Sequence, residues 1–75
     1  MHLFHVTHKD QSIGYHLGPQ PDLNTAREVV LGAYAPGATA EWLGTCSLTD
    51  PGEVWDWMKE LRRQDEKRRS ERGER

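Results

Sequence analysis

The sequence predicts an α+β domain, a three-stranded antiparallel sheet built β-β-α-β-α with strand order 2-1-3, both helices on one face and a long charged C-terminal helix. Three observations carry this. Residues 2–8 (HLFHVTH) and 13–18 (IGYHLG) alternate in hydropathy on either side of a polar link, an apolar stripe of helical spacing lies between two proline-containing breaks, and Asp50-Pro51-Gly52-Glu53 reads as a helix start.

The first two segments read as a hairpin across Lys9, Asp10, Gln11 and Ser12. Setting residue 8 opposite 13 pairs Val6 with Tyr15 and Phe4 with Leu17 on an apolar face. It brings His5 opposite His16 and Thr7 opposite Gly14 on a polar one. Pro19 and Pro21 end the second strand, and Asp22 can cap a helix to about Tyr34, with Thr25 and Glu28 as an alternative capping box. Leu23, Ala26, Val29, Val30, Ala33 and Tyr34 give that helix one apolar stripe. After Pro36 and Gly37, residues 41–48 (EWLGTCSL) read as a third strand, with Trp42, Cys46 and Leu48 on one face. A right-handed crossover then sets this strand against the first and gives the 2-1-3 order. In the last helix Pro51 takes the first position, where its missing N–H costs nothing, and Val54, Trp55, Met58 and Leu61 make a stripe of about two turns. Helix-favouring charged residues continue it to Gly73.

The length of 75 residues allows one domain, and the last fourteen, 62–75, hold no apolar side chain. The expected division is therefore a small α+β domain over 1–61 and a charged helical extension over 62–75. Charge divides at a nearby point. Residues 1–58 carry two cations, Lys9 and Arg27, against seven acids, a balance of −5, whereas 59–75 carry eight cations against five acids, a balance of +3, the whole chain being −2. Such asymmetry suggests an interaction tail. Cys46 is the one cysteine, so no internal disulfide forms. With no basic start before a long apolar run and no membrane-length segment, the expectation is a cytoplasmic protein without membrane contact.

The strand hairpin, the segment Ala26-Arg27-Glu28-Val29-Val30 and the segment Leu43-Gly44-Thr45-Cys46 together resemble small β-β-α-β proteins encoded by actinobacteriophages, over residues 1–49. The second strand here is shorter than that pattern, and the long charged final helix is additional. The resemblance implies a phage setting in a host bacterial cytoplasm. There such proteins bind host machinery, including defence systems, and no catalytic residue is implied.

The candidate chemistry is thin. Alternation sends His2 and His8 to one face and His5 to the other, so only His5 and His16 converge, short of a closed four-ligand zinc site. An intrachain metal site and a cofactor are therefore not expected, and whether His5 and His16 hold a metal between two subunits with paired sheet faces is left open. A flat sheet face with Ser47, His5 and His16 offers no concave pocket, which argues against an enzyme. Trp42 and Trp55 fall on predicted core faces, while Trp57 lies about 200° around the helix from Trp55, so it either covers the rim of the core or is an aromatic anchor for a partner, and it is taken into the expected binding surface as the anchor. The expected binding surface is Trp57 with Arg62, Arg63, Lys67, Arg68, Arg69 and Arg72, and His5 and His16 on the open sheet face are a further contact. The expected activity is non-enzymatic binding and modulation of a host protein or complex. Alternatives are a nucleic-acid module using the same basic residues on phosphates, and self-assembly, including a homodimer, through the uncovered sheet.

Overall fold

Five elements form in chain order in the computed structural model, which describes residues 1–73: β1 (His2–Thr7), β2 (Ile13–Gly18), α1 (Leu23–Ala33), β3 (Thr39–Thr45) and α2 (Pro51–Glu71). The last two residues of the expected 62–75 extension lie outside the described ones. The strands make one antiparallel sheet in the order β2-β1-β3, the α+β architecture that the residue pattern predicts. Both helices start at the expected caps. The Asp22 carboxylate accepts the Thr25 N–H at 2.9 Å, and the Asp50 carboxylate accepts the Glu53 N–H at 3.0 Å.

The hairpin register differs from expectation by one residue. Val6 faces Gly14, His5 faces Tyr15, Phe4 faces His16 and Leu3 faces Leu17. The cause is a loop one residue shorter than the polar link suggests. The His8 N–H donates to Ser12 O at 2.8 Å, closing the turn around Lys9, Asp10 and Gln11, with Gln11 in the left-handed region at φ 76°. Asp10 Oδ1 accepts from both the backbone N–H and the hydroxyl of Ser12, which holds the short turn.

Because side chains alternate with period two, this shift moves Tyr15 and Leu17 from the face of Phe4 to the opposite one. Both faces of the sheet now carry apolar residues and both need a cover. The expectation of two helices on one face is therefore corrected: α1 covers one face and α2 the other. On the α1 face Phe4 and Val6 pack with Ala26, Val30 and Ala35 as the buried core. Burial of such residues stabilises by roughly 1.5–3 kcal/mol for each large side chain. The Arg27 guanidinium lies over the Phe4 ring, 5.8 Å from its centre, and roofs that core. On the α2 face lie Leu3, His5, Tyr15, Glu41 and Gly44. A bulge between the Leu3–Gly44 and Phe4–Trp42 pairs re-aims β3 at Leu43.

The less exposed side chains of α2 are Val54, Trp57, Met58, Leu61, Asp65 and Arg69, a continuous stripe at helical spacing. Gly44 admits this helix, since a Cβ there would stand 2.8 Å from Leu61 Cδ1 and 3.7 Å from Trp57 Cζ2. The helix beyond Leu61 is thus not a projecting arm. It lies on the sheet through Asp65 and Arg69, and the boundary expected at 61/62 falls inside a packed helix. No helix among the described residues is long and apolar enough to cross a membrane.

Candidate functional site

The C-terminal half of α2 is held by a charged cluster. Asp65, 2 % exposed at its side chain, accepts from Tyr15 OH at 3.0 Å and from Arg69 Nε at 2.7 Å, and also pairs with Arg68. Glu41 on β3 takes both guanidinium groups, Arg68 Nη2 at 2.9 Å and Arg69 Nη2 at 2.8 Å. Burial pushes the Asp65 carboxyl upward, but hydrogen bonds from Arg69, Arg68 and Tyr15 outweigh it and hold the group below the usual carboxylate range. His5 is buried beneath this cluster, edge-on to Tyr15 with ring centres 5.3 Å apart. Burial first and the Arg69 charge second keep its imidazole below the ordinary histidine range.

Burial, then the hydrogen bond to Asp65 and its negative charge, push the Tyr15 phenol up from 10.0 to about 12. A group whose folded pKa is raised contributes stability that is complete below the unfolded value and is lost as pH rises through the folded one. The stability of the chain is therefore expected to fall between pH 10 and about 12. A late ionisation step near the upper value should appear in the absorbance at 295 nm, and Tyr15→Phe should remove it. A titration of Tyr15→Phe that still showed the late step would contradict the contact.

A second feature lies at the free edge of β2. Between that edge and the N-terminal half of α2 runs a groove of about 390 Å³ lined by Ile13, Tyr15, Trp55, Met58, Lys59 and Arg62, among others. Ile13 is 52 % exposed and Trp55 59 % exposed, both large values for apolar side chains. Arg62 stands over the Tyr15 ring at 5.3 Å, forming one wall. Lys59 at the rim is held only loosely, 4.0 Å from Asp56 with both side chains well exposed.

The expected site residues divide accordingly. Trp57 is half-buried against Gly44 inside the α2–sheet interface, and Trp55 is the exposed member of the pair, the reverse of the expected assignment. Trp42, expected in the core, is 45 % exposed on β3 and donates from Nε1 to Thr45 Oγ1. Arg68 and Arg69 belong to the internal cluster. Arg63 is paired with Glu60 at 2.6 Å and Arg62 lies 3.6 Å from Glu66, while Lys67 and Arg72 are exposed along the helix. His5 and His16 do not share a face: His5 lies under α2, and His16 is half-buried on the α1 side. The open sheet face expected to present both is covered by α2. Cys46 is partly buried, and its N–H donates to Met1 O.

His2 follows the expected face and has a structural task. Its Nε2–H donates to Pro21 O at 3.0 Å, which leaves Nδ1 to accept the Thr45 hydroxyl at 2.7 Å, and that hydroxyl oxygen accepts from Trp42. The chain of bonds ties β1, β3 and the turn before α1. Ile13 and Trp55, which line the groove, escaped the sequence reading as surface residues because each falls on an apolar pattern. The exposure of Ile13 follows from its place at the end of an edge strand.

Comparison with protein-family models, curated proteins and solved structures finds no match to this chain.

Proposed function

We propose that the chain is a non-enzymatic accessory protein that docks on a host protein or protein complex and modulates it, in the bacterial cytoplasm that the phage resemblance implies, and that the docking element is the groove between β2 and α2. The observation that carries this reading is the pairing of an open sheet edge with exposed Ile13 and Trp55 in one trough. An edge strand offers unpaired backbone N–H and C=O groups, and the trough offers apolar pockets for alternate side chains. The fitting occupant is an extended apolar segment of the partner, added to β2, with an acidic residue opposite Lys59. Tryptophan at the centre of such a trough is a frequent carrier of binding energy.

This moves the docking surface from the outer basic face of α2 to its N-terminal half. Arg62, Arg63, Arg68 and Arg69 each have a carboxylate within 3.6 Å inside the chain. Phosphate binding would have to compete with those pairs, which favours a protein partner over nucleic acid. Affinity purification from a bacterial host, with wild type beside Trp55→Ala and Ile13→Asp, tests the reading. A single protein retained by wild type and by Lys67→Ala, and lost about tenfold or more with both groove variants, is the expected result. Retention undiminished by the groove variants, or retardation of nucleic acid that weakens steeply with salt, would replace it.

A further inference from the structure

His8, Gly14 and His16 occupy the α1 face of the hairpin, with Gly14 between the two histidines, and the shorter turn is what brings them together. A Cβ on residue 14 would stand 3.2 Å from His16 Nε2 and 3.7 Å from His8 Nε2. Both nitrogens thus point into the space that any other side chain at position 14 would fill. The rings are 5.9 Å apart and nearly perpendicular at 78°. His16 is fixed from its other side by Tyr34, the residue capping α1, whose ring lies parallel to it within 5° at 5.6 Å. His16 Nε2 is buried and has no hydrogen-bond partner. A buried imidazole nitrogen left unsatisfied is costly and needs a reason.

We propose that His8 and His16 form a two-imidazole site for a divalent transition-metal ion of the Zn²⁺, Ni²⁺ or Cu²⁺ kind, seated over Gly14 and coordinated by both Nε2 atoms. Imidazole nitrogen suits these ions, whereas Mg²⁺ and Ca²⁺ require oxygen ligands. The nearest carboxylate in the turn, Asp10, already spends Oδ1 on Ser12. Coordination by both nitrogens requires His8, beside the turn, to rotate toward the ion, while His16 is stacked on Tyr34. The ligands must be neutral to bind. Burial first and the His8 ring second already hold the His16 imidazole below the ordinary histidine range. Lys9 and Asp10 line a cavity of about 310 Å³ that also touches His8 and Tyr34, so the charges beside that edge of the site are one of each sign. Among the described residues no third histidine, cysteine or carboxylate joins the pair. The remaining coordination positions therefore belong to water, and the ion exchanges readily. Binding to the folded hairpin stabilises it by mass action.

The test uses the full chain, freed of metal with a chelator and titrated with Zn²⁺ alone at pH 7.5, read by calorimetry and by the histidine ring resonances. The expected result is one ion per chain, shifts confined to His8 and His16, and at least a tenfold loss of affinity in His8→Ala and in His16→Ala. Cys46→Ser should bind as wild type. Gly14→Ala keeps both ligands and fills the cradle, so it should also lose at least tenfold while circular dichroism shows the fold retained. Wild-type affinity no greater than that of the two alanine variants would overturn the site. So would half an ion per chain, undiminished binding by Gly14→Ala, or loss of binding in Cys46→Ser.

Discussion

Replacing Asp65 with alanine is expected to cost the chain about 3 kcal/mol, the low end for removing one partner of a buried ion pair, because Glu41 still offsets part of the charge left behind. Asp65 is the centre on which the Tyr15 hydroxyl and two guanidinium groups converge. Without it, Arg69, whose side chain is only 17 % exposed, keeps its charge in a half-dry site, still beside Glu41 but short of its most buried carboxylate. The phenol loses its acceptor at the same time. Single domains of this size are stable by only a few kcal/mol, so the loss should lower the urea midpoint steeply and release the C-terminal turns of α2. Asp65→Asn, which preserves an acceptor for Tyr15 while removing the charge, should fall between wild type and alanine. Glu41→Gln should cost less, because that side chain is half exposed. A urea midpoint for Asp65→Ala within experimental error of wild type would show that α2 rests on its apolar residues alone.

The same cluster explains why half of the fold was legible in the residues and half was not. The caps at Asp22 and Asp50, the strand order and the antiparallel pairing are local chemistry, and each follows from a few neighbouring side chains. The stripe of α2 was harder to see because it changes chemistry without changing period. Val54, Trp57 and Leu61 hand over to Asp65 and Arg69 at the same spacing, and an apolar pattern stops at Leu61 although the contact does not. Charged residues in a helix ordinarily signal solvent, and only the partners on the sheet, Tyr15 and Glu41, reverse that meaning. Those partners were hidden by the hairpin register. Gln11 takes a left-handed conformation that glycine or asparagine would have advertised, so the turn looked one residue longer than it is. That residue decides which face Tyr15 occupies, which decides where α2 docks, which exposes Trp55 in place of Trp57 and sets His16 beside His8 in place of His5. The candidate groove and the two-histidine cradle thus both descend from one backbone conformation.

The opposite face depends on contact at bare backbone distance, and there a larger side chain should be as harmful as a missing one. Gly18 closes β2 opposite His2, directly beneath α1. A Cβ at this position would lie 2.8 Å from Ala26 Cβ, 3.1 Å from Ala26 O and 3.3 Å from Ala26 C. Two of those three atoms are helix backbone, which cannot rotate aside as a side-chain tip can. Gly18→Ala is therefore expected to destabilise by about 1–3 kcal/mol, the usual range for overpacking, and Gly18→Val by more. Relief requires α1 to lift, which uncovers Phe4 and Val30, both fully buried, and withdraws Tyr34 from His16. Ala26→Gly alone should cost about 1 kcal/mol through helix propensity. Combined with Gly18→Ala it removes the shortest contact and leaves the carbonyl one, so the double variant should be more stable than the two single losses predict, by at least 0.5 kcal/mol, roughly the smallest coupling expected of touching residues. Urea unfolding of the four chains measures that coupling. Strict additivity, or a Gly18→Ala chain as stable as wild type, would mean that α1 stands farther from β2 than these distances require, and the close approach that seals the Phe4 core would lose its support.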